Sequence, residues 1–338
     1  MVRRINVEVK KNSFINWIET ARGIGILLVV FGHAIADIIP NDPVLHNIFV
    51  FIYSFHMPLF FFISGYVGIG GLNNYHFSEK LNYWIKRFKR LMIPYCFIGI
   101  LYIPVKIVLA KFTTSPIVLS EVIIRFLGGD NPNGQLWTLY ALFIESVLIT
   151  FFSKKNGGYY RNALFGISVI IALTSTILPT SVIQNIMLEF FFYSIGCICR
   201  KEKLFSKNFS LFIPISTFLF LVAVNCLTTI NGNNPLKLLT GLLGIVCVLT
   251  TCIHFEKANM RVINIVGKYG MDIYMLANFV QVAVRIFYKL IPSLNIYLVL
   301  FASFVCGITI PIIISKFIIR KSNLLSILVL GERKKVML

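Results

Sequence analysis

The chain has 338 residues, 57% of them hydrophobic and 13% charged, with a mean hydropathy of +0.82. Soluble domains carry about a quarter charged residues, so this composition excludes a soluble globular protein. The lack of low-complexity tracts or of a fixed period of roughly 20–50 residues also excludes disorder, collagen and solenoids. The net charge of +19 would suit nucleic acid only with a basic groove or a basic soluble domain. Here Lys and Arg sit in short clusters between apolar runs, which is how orientation in a bilayer is encoded, so the expected partner is lipid and not nucleic acid. The seven cysteines include no CxxC pair and lie within or at the ends of apolar stretches. They read as small core residues, with neither disulfide nor metal expected.

A helix needs about 20 mostly apolar residues to cross a hydrocarbon core of roughly 30 Å. Ten runs qualify in chain order, at about 24–40, 45–68, 91–110, 136–152, 163–179, 182–199, 209–229, 236–254, 271–291 and 294–315. Turn signals such as Pro40-Asn41-Asp42-Pro43 and Asn231-Gly232-Asn233-Asn234-Pro235 close several of them. The stretch 117–127 is too short to span and carries Glu121 and Arg125, which predicts a surface segment beside the Gly/Asn-rich loop 128–134. Of the 32 basic residues, 26 fall in alternate loops and the two tails, which places both termini in the cytoplasm. The basic leader lacks a small-residue cleavage site, so it is expected to stay. The expectation is an all-α polytopic membrane bundle of about ten transmembrane helices. It forms a single domain over 1–338, with short basic tails at 1–23 and 316–338 and no soluble domain.

Ionisable residues at membrane depth are costly and usually mark a function or a buried pairing. In the first span His33 lies eleven residues after Arg22, about 16 Å along a helix and near the bilayer midplane. Asp37 is one turn further on the same face, where it could orient or charge the imidazole. Gly25 and Gly32 would let a neighbouring helix approach closely. The second span brings His56 to a similar depth, and Pro58 frees a carbonyl one turn before it. Two histidines at one depth beside a kink point to a polar cavity, the alternative being packing alone. Arg87 and Arg90 share one helix face at the inner surface, where paired guanidiniums match phosphate oxygens. The same pair would also serve as an anchor to anionic lipid. Glu145, Glu189, Asp272 and Arg285 fall inside spans, where pairing among them could lock helices. Trp137 and Tyr140 suit an interfacial aromatic belt, and Trp137 follows a loop that could face a sugar.

Taken together these segments resemble the acyltransferase family 3 membrane proteins, in particular the branch similar to fucose 4-O-acetylases. Glu19, Arg22 and His33 fit the family's opening pattern of an acidic residue, Arg-Gly and a histidine, with ten residues between the arginine and the histidine. Phe55 to Tyr66 looks like the second-span signature, and Arg87-Phe88-Lys89-Arg90 followed by Ile93-Pro94-Tyr95 is similar to the Arg-x-x-Arg element. Leu136-Trp137-Thr138-Leu139-Tyr140 resembles the Leu-Trp-aromatic motif of the middle spans. Near Ile273 to Asn278 many relatives carry a histidine. This chain has Ala277 and Asn278 there, so Asn278 could keep only the hydrogen bonding.

The resemblance implies a membrane-bound O-acyltransferase in a bacterial cytoplasmic (inner) membrane. It would move an acetyl or other small acyl group from cytoplasmic acetyl-CoA or another acyl-CoA to a hydroxyl of a cell-envelope glycan or lipid-linked sugar. Arg22, Arg87 and Arg90 would then hold the donor, and His33, Asp37 and His56 would do the chemistry. Trp137 and Tyr140 would meet the acceptor. A neutral imidazole near its ordinary pKa suits removal of a hydroxyl proton, which favours His33 as the base. The rival reading is a transporter or exporter of a polysaccharide or lipid-linked sugar, with the histidines lining its path.

Overall fold

The computed structural model describes the backbone of residues 2–38, 42–68, 77–110, 120–154, 158–178, 181–205, 209–228, 233–256, 258, 260–291 and 293–333. Side chains are described from Trp17 onward, except those of 37, 38, 154, 158 and 159. Among these residues eight helical stretches are long and apolar enough to cross a bilayer. They cover Trp17–Ala36, Pro43–Gly68, Phe77–Val108, Gly134–Phe152, Val182–Glu202, Asn234–His254, Gly270–Leu290 and Ile296–Lys321. Two shorter apolar helices, Arg161–Ile177 and Phe212–Leu227, coincide with the fifth and seventh predicted runs. The chain is a polytopic all-α membrane protein, and among the described residues each of the ten runs in the sequence coincides with an apolar helical stretch, eight of them long enough to span.

The helices are α1 (Val2–Ile38), α2 (Pro43–Tyr53), α3 (His56–Gly68), α4 (Phe77–Val108), α5 (Val122–Leu127), α6 (Trp137–Leu148) and α7 (Arg161–Thr174). They continue as α8 (Val182–Glu202), α9 (Phe212–Leu227), α10 (Asn234–His254), α11 (Arg261–Lys268), α12 (Gly270–Leu290), α13 (Ile296–Phe317) and α14 (Asn323–Leu330). Between α6 and α7 a two-residue antiparallel pairing joins Ser153 to Tyr159 and Lys154 to Gly158. The first span starts earlier than its hydropathy suggests, because Trp17, Ile18 and Ala21 are buried where α1 packs along α11. The predicted surface segment is α5, a single short helix with no buried residue. Residues 117–119 lie outside the described residues.

The chain forms two compact units. One holds α1 to α3, the end of α7, α8 from Leu188, and α9 to α11. Its helices meet through glycine. A side chain at Gly65 would run into the Tyr193 carbonyl, one at Gly196 into the Phe62 carbonyl, and one at Gly267 into the Glu19 carbonyl. Such contacts bring backbones together without intervening side chains, which is how helices associate where hydrophobic burial offers no driving force.

The other unit holds α4 to α6, the start of α7 and of α8, and α12 to α14. Its core is Leu91, Tyr95 and Ile98 of α4, Leu136 and Leu139 around the start of α6, Met275 of α12, and Ile319, Val329 and Leu330. The region after 316, which the sequence presents as a short basic tail, therefore folds back as α14 and closes this core. Its cap is Gly331, in the left-handed region (φ +64°) and lying against the Arg90 carbonyl, where no side chain fits.

Candidate active site

The second span is not one kinked helix but two, broken at Ser54 and Phe55 between α2 and α3. Pro58 lacks an N–H, so the Ser54 carbonyl four residues earlier loses its helical partner. The Thr240 hydroxyl of α10 takes that place at 3.2 Å. The packing alternative would have His56 satisfy the freed carbonyl. The structure instead pairs His56 with the carbonyl of Ile52, with Nδ1 at 2.9 Å. The break turns the Ile52 carbonyl toward the ring, and Thr240 already occupies the other.

A carbonyl oxygen only accepts, so Nδ1 of the neutral His56 ring carries the proton and Nε2 presents its lone pair. His56 is 2% exposed, and its ring lies 4.5 Å from that of Tyr53, edge to face. Tyr53 also faces α1. Its hydroxyl is 3.4 Å from His33 Nδ1, with ring centroids 6.2 Å apart. The tyrosine ring rests on Gly32, whose added Cβ would come 3.0 Å from Tyr53 Cε2, while the Phe60 ring packs over Gly25. The two glycines singled out in the sequence thus admit the second span against the first. Tyr53 joins the two histidines, and no sequence motif announced it. Phe49 stacks on Tyr53 at 3.9 Å and completes an aromatic wall.

Below this wall and beside the break lies a cavity of about 190 Å3. His46, Tyr53, Ser54 and Pro58 line it from α2 and α3, Glu189 and Phe192 from α8, and Lys237 from the first turn of α10. Gly241 and Gly244 allow this packing, since side chains there would strike the Phe192 and Phe55 rings. Glu189 and Lys237 are 48 residues apart in the chain and become neighbours only in the fold.

Arg22 is partly buried on α1, in the same unit as the histidines. Asp37 belongs to α1, but its side chain lies outside the described residues. The remaining candidates belong to the second unit. The Arg87 guanidinium lies over the Tyr83 ring, 5.9 Å from its centroid. Arg90 donates to the Leu330 carbonyl at 3.1 Å and forms an ion pair with Glu332, so a carboxylate sits where a phosphate is expected. Tyr140 packs on Gly129 (φ +90°), and its ring is 5.8 Å from that of Tyr95. Trp137 is partly buried at the start of α6.

The loop before Trp137 turns its asparagines inward. Asn131 donates to the Tyr95 carbonyl at 3.0 Å, and its side-chain oxygen accepts from the Asn133 amide at 2.9 Å. Asn278 donates to Asn133 Oδ1 at 2.8 Å and to the Tyr102 hydroxyl at 3.1 Å. Asp272, one of the buried acids, pairs with Arg320 at 2.7 Å and with the Ser315 hydroxyl.

Residues 15–316 match the family model described as an acyltransferase domain, acyltransferase family 3. Among curated proteins, nodulation protein NolL of Mesorhizobium japonicum is 30% identical over 145 residues, which is 41% of this chain. The match spans only 36% of the length of that relative. No solved structure matches. With the family model running from the middle of α1 to the end of α13 and taking in the break, both histidines and the arginine pair, the chain belongs to acyltransferase family 3 and is a multi-pass membrane protein.

Proposed function

We propose that the protein is an O-acyltransferase of a bacterial cytoplasmic membrane, carrying an acetyl or other small acyl group from acyl-CoA to a hydroxyl of a cell-envelope glycan or lipid-linked sugar. The observation that carries this reading is the linkage of His33 and His56 through Tyr53. A phenol both donates and accepts, so Tyr53 can keep its hydrogen bond whether or not His33 Nδ1 holds a proton. That compliance suits a base whose protonation changes during the reaction. His56 is the opposite case. Its tautomer is fixed by a backbone carbonyl, so Nε2 is a standing acceptor that can hold a hydroxyl in place.

In this scheme a neighbouring hydroxyl of the sugar donates to His56 Nε2 and holds the ring in place, while the reacting hydroxyl gives its proton to His33 as its oxygen attacks the thioester carbonyl. The tetrahedral intermediate collapses with cleavage of the C–S bond. The ester leaves on the sugar, and the CoA thiolate takes the proton back from the His33 imidazolium. Arg87 and Arg90 anchor the donor phosphates, with Arg22 as a further cation, and binding of CoA at Arg90 requires release of Glu332. Trp137 and Tyr140 would meet the acceptor beside a loop whose amides turn into the protein.

The test uses purified protein in lipid with radiolabelled acetyl-CoA and a broad pool of glycan acceptors. Wild type should transfer label. His33→Ala should lower kcat by about 10²–10⁴, the usual contribution of a positioned acid or base. Arg90→Ala should chiefly raise KM for acetyl-CoA. Folded protein with neither CoA binding nor turnover would overturn the proposal in favour of an exporter.

A further inference from the structure

Glu189 is 6% exposed, and its Oε2 has no hydrogen-bond partner among the described residues. Buried polar atoms are almost always satisfied, and an exception calls for a cause. This atom belongs to a residue that lines the cavity. Lys237 lines the same cavity from the first turn of α10, the position where the helix dipole favours an acidic residue and disfavours a cation. Two residues placed against their own energetics thus meet across one space, with the faces of Phe49, Tyr53 and Phe192 beside them.

We infer that this cavity is the acceptor subsite and that it takes a neutral pyranose, with the Glu189 carboxylate accepting from sugar hydroxyls and the Lys237 ammonium donating to another. The inference rests on the acyl-transfer reading for what happens to the sugar, but not for the binding itself. The chemistry of the pair selects the class. A carboxylate and an ammonium facing one ligand are complementary to groups that both donate and accept, which hydroxyls do. An amino sugar or a uronic acid would bring a charge that one member of the pair attracts and the other repels, whereas a neutral ring uses both as hydrogen-bond partners. Aromatic faces cover the apolar side of a sugar ring. The cavity holds the space of about six waters, close to one sugar ring. It also reaches the right place. The α2, α8 and α10 termini that border it follow the loops poor in Lys and Arg, the outer side by charge asymmetry. Its inner end is Ser54 and Tyr53, beside both histidines.

The test uses saturation-transfer NMR on the full-length protein in nanodiscs with a panel of neutral methyl pyranosides (glucoside, galactoside, mannoside), methyl glucosaminide and methyl glucuronide. Transfer of label from acetyl-CoA is measured in parallel. The proposal expects at least one neutral glycoside to receive saturation from wild type, and His33→Ala to keep that signal while losing turnover. Glu189→Gln, which preserves shape, should lose the signal or weaken binding at least tenfold, as should Lys237→Met, both with unchanged thermal unfolding. Where turnover is measurable, Glu189→Gln should raise KM for the sugar and leave KM for acetyl-CoA unchanged.

An undiminished signal in Glu189→Gln, a preference for either charged glycoside, or no neutral glycoside bound would each overturn it. A Glu189-dependent sugar signal without any acyl transfer in wild type would leave the subsite standing and remove the transfer reading. Transfer with a sugar KM indifferent to Glu189 would do the reverse.

Discussion

Both units bury amides, hydroxyls and charges among apolar helices, but they treat them differently. In the second unit several polar groups close on one another. Asn278 gives both amide hydrogens to Asn133 and Tyr102, Asn131 is tied to Tyr95 and Asn133, and Asp272 receives Arg320 and Ser315. In the first unit the Oε2 atom of Glu189 has no partner among the described residues, and Glu189 lines a cavity beside a broken helix. A buried network that satisfies itself rigidifies a fold, whereas one held open by its surroundings keeps capacity for a ligand. Depth and polarity alone do not separate the two cases. What marks Glu189 is that its unpartnered atom belongs to a residue bordering a cavity.

Substitutions can break that contrast. His56→Ala should reduce acyl transfer about a hundredfold and shift thermal unfolding little. A collapse in unfolding temperature with unchanged kcat in the surviving protein would make His56 a scaffold residue. Gly196→Val places a side chain against the Phe62 carbonyl and should cost at least the 1–3 kcal/mol typical of overpacking, seen as a melting temperature several degrees lower. Asn278→Ala removes two donors from the second unit and should cost about 1–3 kcal/mol without changing KM for the acceptor. A changed acceptor KM there would show that this network also touches substrate. The smallest effect is expected for Thr240→Val, which uncaps the Ser54 carbonyl. It should cost about 1 kcal/mol and lower transfer several-fold by loosening the break.

How much of this was legible beforehand depended on the range of the signal. Spans are written in contiguous hydropathy, and all ten apolar runs correspond to apolar helical stretches. His33 and His56 were legible because each is anomalous in its own run, and Pro58 marked the disturbance near them. The partners were not. Thr240 reaches Ser54 across 186 residues, Arg320 rather than Arg285 meets Asp272, and Lys237 looked like an ordinary loop-end cation until α10 set it beside Glu189. Tyr53 was one aromatic among 14 tyrosines and 31 phenylalanines. Nothing in its neighbours distinguishes a tyrosine that bridges two imidazoles from one that fills space.

The glycine contacts between α3 and α8 have a mechanical consequence. Gly65 faces the Tyr193 backbone and Gly196 faces the Phe62 backbone, so the two helices mesh like cogs with two teeth engaged. Sliding one past the other would drive side chains into carbonyls, and that axis is locked. In the proposed reaction the widening a bulky acceptor demands would then come from α2, which continues into α3 through the break at Ser54 and Phe55. The break and the proposed tyrosine-histidine cluster are the same few residues, so in the proposed reaction admitting substrate and aligning the reacting groups would be a single movement.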